Sequence, residues 1–370
     1  MKHTNTMKVK ELGQSIWLDF FNREIIDTGK LKSMIEEEGI GGVTSNPSIF
    51  ENAISSSQDY DDDISFLAQT KKNSDDIFFS LAVKDIKRAA DLFKTVYKKS
   101  NGEDGFVSLE VSPHLAHDTR ATIKQAEKLW KLVNRRNVMI KIPATDEGLP
   151  AIRKCISLGI NINITLLFGL PRYREVTHAY ISGLEDRLNN NQPISKIASV
   201  ASFFLSRIDV IIDPMLESKG FSDLKGEVAI ASAKEAYQVY KDVFFSERFK
   251  KLEAFGAKRQ KVLWASTSSK DSSFSDVKYV DALIGNETIN TLPLKTINAF
   301  NDHGNVQSLL EKDTAKASHV LEQLIKNHID INTITQKLEE EGIDKFNKAY
   351  DQILTSIEKK LVRHLSNVSA

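Results

Sequence analysis

Cysteine is nearly absent: Cys155 is the single one in 370 residues. An internal disulfide framework is therefore excluded, and packing inside a helix is the expected role of that thiol. Net charge is absent too, since 50 Lys and Arg balance 50 Asp and Glu. No global field draws the chain to nucleic acid or to an acidic membrane, so any anion site has to be built locally. No run of about 18 apolar residues occurs, and the opening MKHTNTMKVKELGQ has no apolar core of a secretion signal. The expectation is a cytoplasmic protein without membrane or nucleic-acid partners. Proline (8) and glycine (17) are sparse and nowhere cluster into a linker, and no repeat of fixed period is present. No G-x-G-x-x-G follows the first expected strand, which weakens a dinucleotide-binding sheet.

What the sequence has is a series of short apolar segments alternating with helical patterns. The segments are IWLDF 16–20, GGVTSNPSIF 41–50, VSLEV 107–111, NVMIKIPAT 137–145, NINITLLF 161–168, SVASFF 199–204, KVLWAS 261–266 and YVDALIG 279–285. Strands alternating with helices pair in parallel through right-handed crossovers. Eight of them predict an α/β protein with a closed (β/α)8 barrel of the TIM type; an open doubly wound sheet is the competitor. Helices fill about 52–100 and dominate from about 305 onward. The whole is expected to be one domain over 1–370, with those two stretches as insertion and C-terminal extension. The last helix, about 345–365, aligns Phe346, Tyr350, Ile353, Ile357 and Leu361 on one stripe. The acidic run Asp61, Asp62, Asp63 suits a helix start, where carboxylates favour the dipole.

Lys141 stands out because it lies within an apolar run. Val138, Ile140 and Ile142 alternate with Met139 and Lys141, so the strand has one apolar face and carries the ammonium on the other. Two readings compete at this point: an edge-strand lysine that discourages aggregation, and a desolvated nucleophile. Other strands repeat the polarity. Asp19 opposes Leu18 and Phe20, Glu110 opposes Leu109 and Val111, Asn163 and Thr165 oppose Ile162 and Ile164, and Ser202 opposes Ala201 and Phe203. Barrel strands bury their outer face under helices, so these polar residues are expected inside, near the C-terminal ends of the strands. Barrel interiors are ordinarily apolar, and a polar one reads as an active site shared by Lys141, Asp19, Glu110, Asn163 and Ser202. A lysine among carboxylates suits Schiff-base chemistry on a ketone, the iminium acting as an electron sink while a neighbouring carbon-carbon bond breaks. Glu110 and Asp19 are able to handle the protons.

TSNPSIF 44–50, VSLEVSP 107–113, VMIKIPAT 138–145, NINITLLF 161–168, SFFLSRID 202–209 and WAST 264–267, in this order, resemble the transaldolases, in their longer bacterial-type branch. The resemblance implies a transferase without metal or organic cofactor. Its substrates would be phosphorylated sugars: a dihydroxyacetone unit passes from sedoheptulose 7-phosphate to glyceraldehyde 3-phosphate, in the pentose phosphate pathway. It implies Lys141 as the imine-forming residue, Glu110 as acid and base through a water, and Asp19 at the hydroxyl of the cleaved bond. Thr44, Asn46, Asn163, Thr165 and Ser202 match positions that hold this water or substrate hydroxyls, and Arg207 and Ser266 match the phosphate end. Smaller family members carry an arginine where this chain has Ser268; Lys270 is expected to take over part of that charge. Related fructose 6-phosphate aldolases carry glutamine and tyrosine where this chain has Glu110 and Phe204, which favours transfer over release. Two other readings are a metal-dependent aldolase using His114 and His117, and a barrel that binds phosphosugar without turnover. Homo-oligomerisation is possible for such a barrel.

Overall fold

The computed structural model describes residues 3–70 and 73–368, with side chains described through residue 362. Lys71 and Lys72 of the expected insertion, and the side chains of the last helix beyond 362, lie outside the described residues. Eight parallel strands close a barrel in chain order: β1 (Gln14–Leu18), β2 (Gly42–Val43), β3 (Val107–Glu110), β4 (Val138–Pro143), β5 (Ile162–Leu167), β6 (Ser199–Phe204), β7 (Lys261–Ala265) and β8 (Thr288–Leu292). β8 hydrogen-bonds to both β7 and β1 and so closes the ring.

The eighth strand is a correction. YVDALIG 279–285 is apolar and β-branched enough to read as a strand, yet Lys278–Ala282 is a short helix and the strand is Thr288–Leu292. Tyr279, Val280, Leu283 and Ile284 recur at i, i+1, i+4 and i+5 and all are buried, which is the period of a helix face. The true strand, TINTL, has no apolar run, since Asn290 and Thr291 separate Ile289 from Leu292. The last helix also differs, spanning Ile331–Val368 and starting well before residue 345. Its early turns carry β-branched Thr333 and Thr335 and the helix-weakening Gly342, a composition that hides helical propensity.

The barrel interior is divided by height. Its lower part is a packed apolar cluster of Trp17, Phe106, Met139, Val200, Leu263 and Ile289. Gly42 belongs to this layer because a Cβ there would lie 2.6 Å from the Trp17 ring and from the Phe106 carbonyl. Asp104 closes the floor, accepting hydrogen bonds from Ser15 Oγ (2.7 Å) and Trp17 Nε1 (2.9 Å). The opposite faces of the same strands, with Ile140, Ile142, Ile162 and Ile164, pack under the surrounding helices in the main core. One strand position further up, on the inner face, the residues become polar. Alternation with period two thus divides each strand between helix-covered core and barrel lumen.

Helices Pro47–Ser56, Asp61–Ala68 and Ser74–Lys99 lie between β2 and β3. The acidic run forms the first turn of the middle one, with Asp63 ion-paired to Arg23 at 2.7 Å and to Lys84 at 2.7 Å. Arg23 Nε also donates a buried bifurcated hydrogen bond to both carboxylate oxygens of Asp85 (3.0 and 3.1 Å), and its guanidinium sits over the Tyr60 ring. The final helix docks on this layer through Tyr350, edge-on to Phe78 with centroids 5.4 Å apart. Phe78 in turn meets Phe50, and Phe50 meets Phe21. No described helix is long and apolar enough to cross a membrane.

Candidate active site

Strand register brings the expected residues together at the C-terminal end of the barrel, the face where such folds carry their sites. Glu110 is the register partner of Lys141, and Lys141 that of Asn163. Lys141 is buried, with Nζ 3.8 Å from Glu110 Oε2 and donating to the Ser45 carbonyl at 3.1 Å. Ser45 follows β2 and is held by its own Oγ, which donates to the Ser108 carbonyl at 2.8 Å.

Both oxygens of Glu110 are buried without a hydrogen-bond partner, as is Oγ1 of Thr165. Burial pushes the Glu110 carboxyl up to about 7; the Lys141 charge opposes this and the Asp19 charge adds to it. Asp19 directly follows β1, where its backbone N–H donates to the Leu292 carbonyl of β8. Its acidity is weakened by burial as well, offset by Lys141, by the bond from Thr44 and by Lys270. Thr44 Oγ1 donates to Asp19 Oδ1 at 2.7 Å and lies 2.7 Å from Thr291 Oγ1. A hydroxyl has one proton to give, so with Asp19 as acceptor the chain runs from Thr291 to Thr44 to Asp19.

A second polar chain crosses the lumen. Ser202 Oγ donates to Asn163 Oδ1 (2.7 Å), and Asn163 Nδ2 donates to Ser108 Oγ (3.0 Å). Asn163 and Thr165 are completely buried, deeper than the cleft itself. Asn46 has two functions: its Oδ1 caps helix Pro47–Ser56 by accepting from the Ile49 N–H at 3.0 Å, with Pro47 at the first helical position. The other side-chain group, Nδ2, is left for the cleft.

The cleft above Lys141 has a volume of about 210 Å³. Its walls include Asp19, Thr44, Asn46, Ser202, Phe204, Arg207, Ser266 and Lys270 among the expected residues. At one end Arg207 occupies the first turn of helix Ser206–Ser218, with Nη1 buried and unpartnered. Burial holds its pKa below the ordinary guanidinium value, and the charge of Glu341 on the final helix partly offsets this. Ser266, in a left-handed conformation (φ 55°) just past β7, joins Ser206 through their hydroxyls at 2.9 Å. Lys270 stands at the mouth and donates to Ser268 Oγ at 2.8 Å. Partial desolvation there, then the neighbouring Arg207 charge, lower the Lys270 pKa. Two cations, neighbouring hydroxyls and the N-terminal turn of a helix form a site that suits a phosphate.

Sequence reasoning missed four contributors. Thr291 and Pro293 were lost with the misassigned eighth strand, because TINTL has neither an apolar run nor regular alternation to mark it. Ser45 acts through its carbonyl, which no side-chain pattern reveals. Phe346 lines the cleft from the final helix, where its place on an apolar stripe indicates only packing. His114 and His117 diverge, the former to Asp351 at 2.8 Å and the latter to Glu147 at 3.1 Å. Among the described residues no group of three possible metal ligands comes together.

Comparison with known proteins yields a family model described as Transaldolase/Fructose-6-phosphate aldolase, matching residues 16–357. The chain is 46% identical over 374 residues to a protein of Trichodesmium erythraeum named transaldolase, with 98% of each chain covered. It is 47% identical over 375 residues to transaldolase 2 of a Nostoc species, again with 98% of each chain covered. A transaldolase of Saccharopolyspora erythraea is 45% identical over 361 residues, spanning 97% of this chain and 98% of its own.

Proposed function

The chain belongs to the transaldolase/fructose-6-phosphate aldolase family, and from that premise we propose that Lys141 forms the Schiff base of a dihydroxyacetone transfer between phosphosugars. The observation that carries the assignment is the placement of Lys141 Nζ at the floor of the cleft, 3.8 Å from a carboxyl whose pKa is about 7. A group poised near neutrality both gives and takes protons at working pH.

Glu110, in its ionised form, takes a proton from Lys141 and so frees the amine to attack the keto carbon of sedoheptulose 7-phosphate. Glu110, through a water, protonates the departing hydroxyl as the carbinolamine loses water; its unpaired oxygens and the unpaired Thr165 hydroxyl have the capacity to hold that water. The resulting iminium accepts the electron pair of the adjacent carbon-carbon bond. Asp19, steadied by Thr44, takes the proton from the hydroxyl of the carbon being released, and erythrose 4-phosphate departs. The three-carbon enamine stays on Lys141 until glyceraldehyde 3-phosphate arrives. Its aldehyde carbon is attacked, its oxygen is protonated by Asp19, and hydrolysis of the new iminium releases fructose 6-phosphate. Asn46, Asn163 and Ser202 fix the hydroxyls of the bound unit. Arg207, Ser266 and Lys270 hold the phosphate, Lys270 standing in for the arginine that this loop lacks. Glu110 and Phe204 favour transfer over the aldolase branch of the same family. The single cysteine, which is buried, supports a cytoplasmic location as part of the proposal.

Transfer through a covalent enzyme predicts ping-pong kinetics. With fructose 6-phosphate as donor and erythrose 4-phosphate as acceptor, double-reciprocal plots should be parallel; intersecting lines would contradict a covalent carrier.

A further inference from the structure

Among the described residues, Phe346 is the one of the cleft wall that comes neither from the barrel strands nor from the segments directly following them. It is carried there by the final helix, Ile331–Val368, and only 6% of its surface is exposed. The helix is held against the barrel mouth on both sides of it. One turn earlier Gly342 lies so close to β5 that a Cβ would be 2.9 Å from Leu166 Cδ2, and Leu166 is itself in a left-handed conformation (φ 55°). Two turns earlier, Glu339 faces Arg172 at 3.6 Å. One turn later Tyr350 is wedged against Phe78 and Phe79, with its hydroxyl bonded to Asp75. The cleft wall also includes Phe204, backed by Phe168 with ring centroids 5.2 Å apart, and the cations Arg207 and Lys270. An aromatic ring so placed offers no hydrogen bond and takes up space that water would otherwise occupy.

We propose that Phe346 determines the fate of the three-carbon unit on Lys141, protecting it for transfer by excluding water from the mouth of the cleft. The inference rests on the Schiff-base reading above. Two outcomes compete for the enamine. In transfer its carbon attacks the acceptor aldehyde, a carbon-carbon bond forms, and the aldehyde oxygen takes a proton. In release the same carbon takes a proton, water adds to the iminium carbon, the carbon-nitrogen bond breaks, and free dihydroxyacetone leaves the regenerated amine. Release needs water as co-reactant; transfer needs it only after the acceptor has been joined. Phe346 therefore acts on specificity and not on bond making.

The test measures the ratio of dihydroxyacetone release to transfer, with fructose 6-phosphate as donor and with or without erythrose 4-phosphate. Phe346→Ala should raise the ratio about tenfold or more, and Phe346→Leu should fall between that and the parent. Gly342→Ala, which keeps the ring but pushes the helix away from Leu166, should shift the ratio in the same direction. If Phe346→Ala does not fold, the Leu and Gly342 variants carry the comparison. An unchanged ratio in folded variants overturns the inference, even if total activity falls. The underlying reading fails separately: it is lost if the parent protein, reduced with borohydride in the presence of donor, shows no label on Lys141.

Discussion

At the scale of single residues, the barrel interior sets the proton affinities on which the chemistry depends. Glu110 has its pKa raised from 4.5 to about 7, chiefly by burial. The folded state therefore holds this proton more tightly than the unfolded chain. Its favourable contribution is complete below pH 4.5 and is lost as pH rises to 7, a loss of roughly 3 kcal/mol at 1.36 kcal/mol per unit. Denaturant melts of Glu110→Gln across that range should lack this part of the slope, and the variant should be more stable than the parent at pH 8. Its kcat should drop by about 10² to 10⁴, so stability and activity move in opposite directions. Lys141, Asp19, Glu110, Asn163 and Ser202 were legible in the sequence because one parity rule places them all in the lumen. Thr291 obeys the same rule and escaped only because its strand was sought nine residues too early, counting from Tyr279 to Thr288. The Ser45 carbonyl was out of reach, since a backbone acceptor leaves no trace in residue identity.

At the scale of elements, helix starts are what shape the two ends of the cleft. Asn46 caps helix Pro47–Ser56 with its carbonyl oxygen and offers its amide to the cleft. Asn46→Asp keeps a good cap and removes the donor, so the stability should change by less than about 0.5 kcal/mol while transfer falls sharply. Equal losses of both would mean that Asn46 is a cap alone. At the other end, Arg207 in the first turn of helix Ser206–Ser218 should carry most of the phosphate binding. Arg207→Ala is expected to raise KM for phosphosugars about 10- to 100-fold, the worth of a charged hydrogen bond. Lys270→Ala, at the exposed mouth, should cost less. Strands with an apolar and a polar face were readable in the sequence. The final helix was read fourteen residues short, Ile331 against Lys345, because Gly342 serves a close approach to Leu166 that only the tertiary structure defines.

At the scale of the whole molecule, a closed barrel supplies the lysine and both carboxyls, and the end of the chain folds back over its mouth. The aromatic series Phe21, Phe50, Phe78 and Tyr350 joins the segment after β1, the helices after β2 and the final helix. Tyr350→Ala should cost about 3 to 5 kcal/mol by chemical denaturation and loosen that cover. The chain order of the strands was evident from alternation alone; the way the C-terminal helix crosses the cleft was not, since a stripe of apolar residues states that a helix packs but not against what. All of these arrangements serve one claim, that Lys141 carries the three-carbon unit covalently. Incubation with fructose 6-phosphate, reduction with borohydride and peptide mapping by mass spectrometry test it directly. A single reduced three-carbon adduct on Lys141 is expected; an adduct on another lysine, or none, would contradict the covalent carrier.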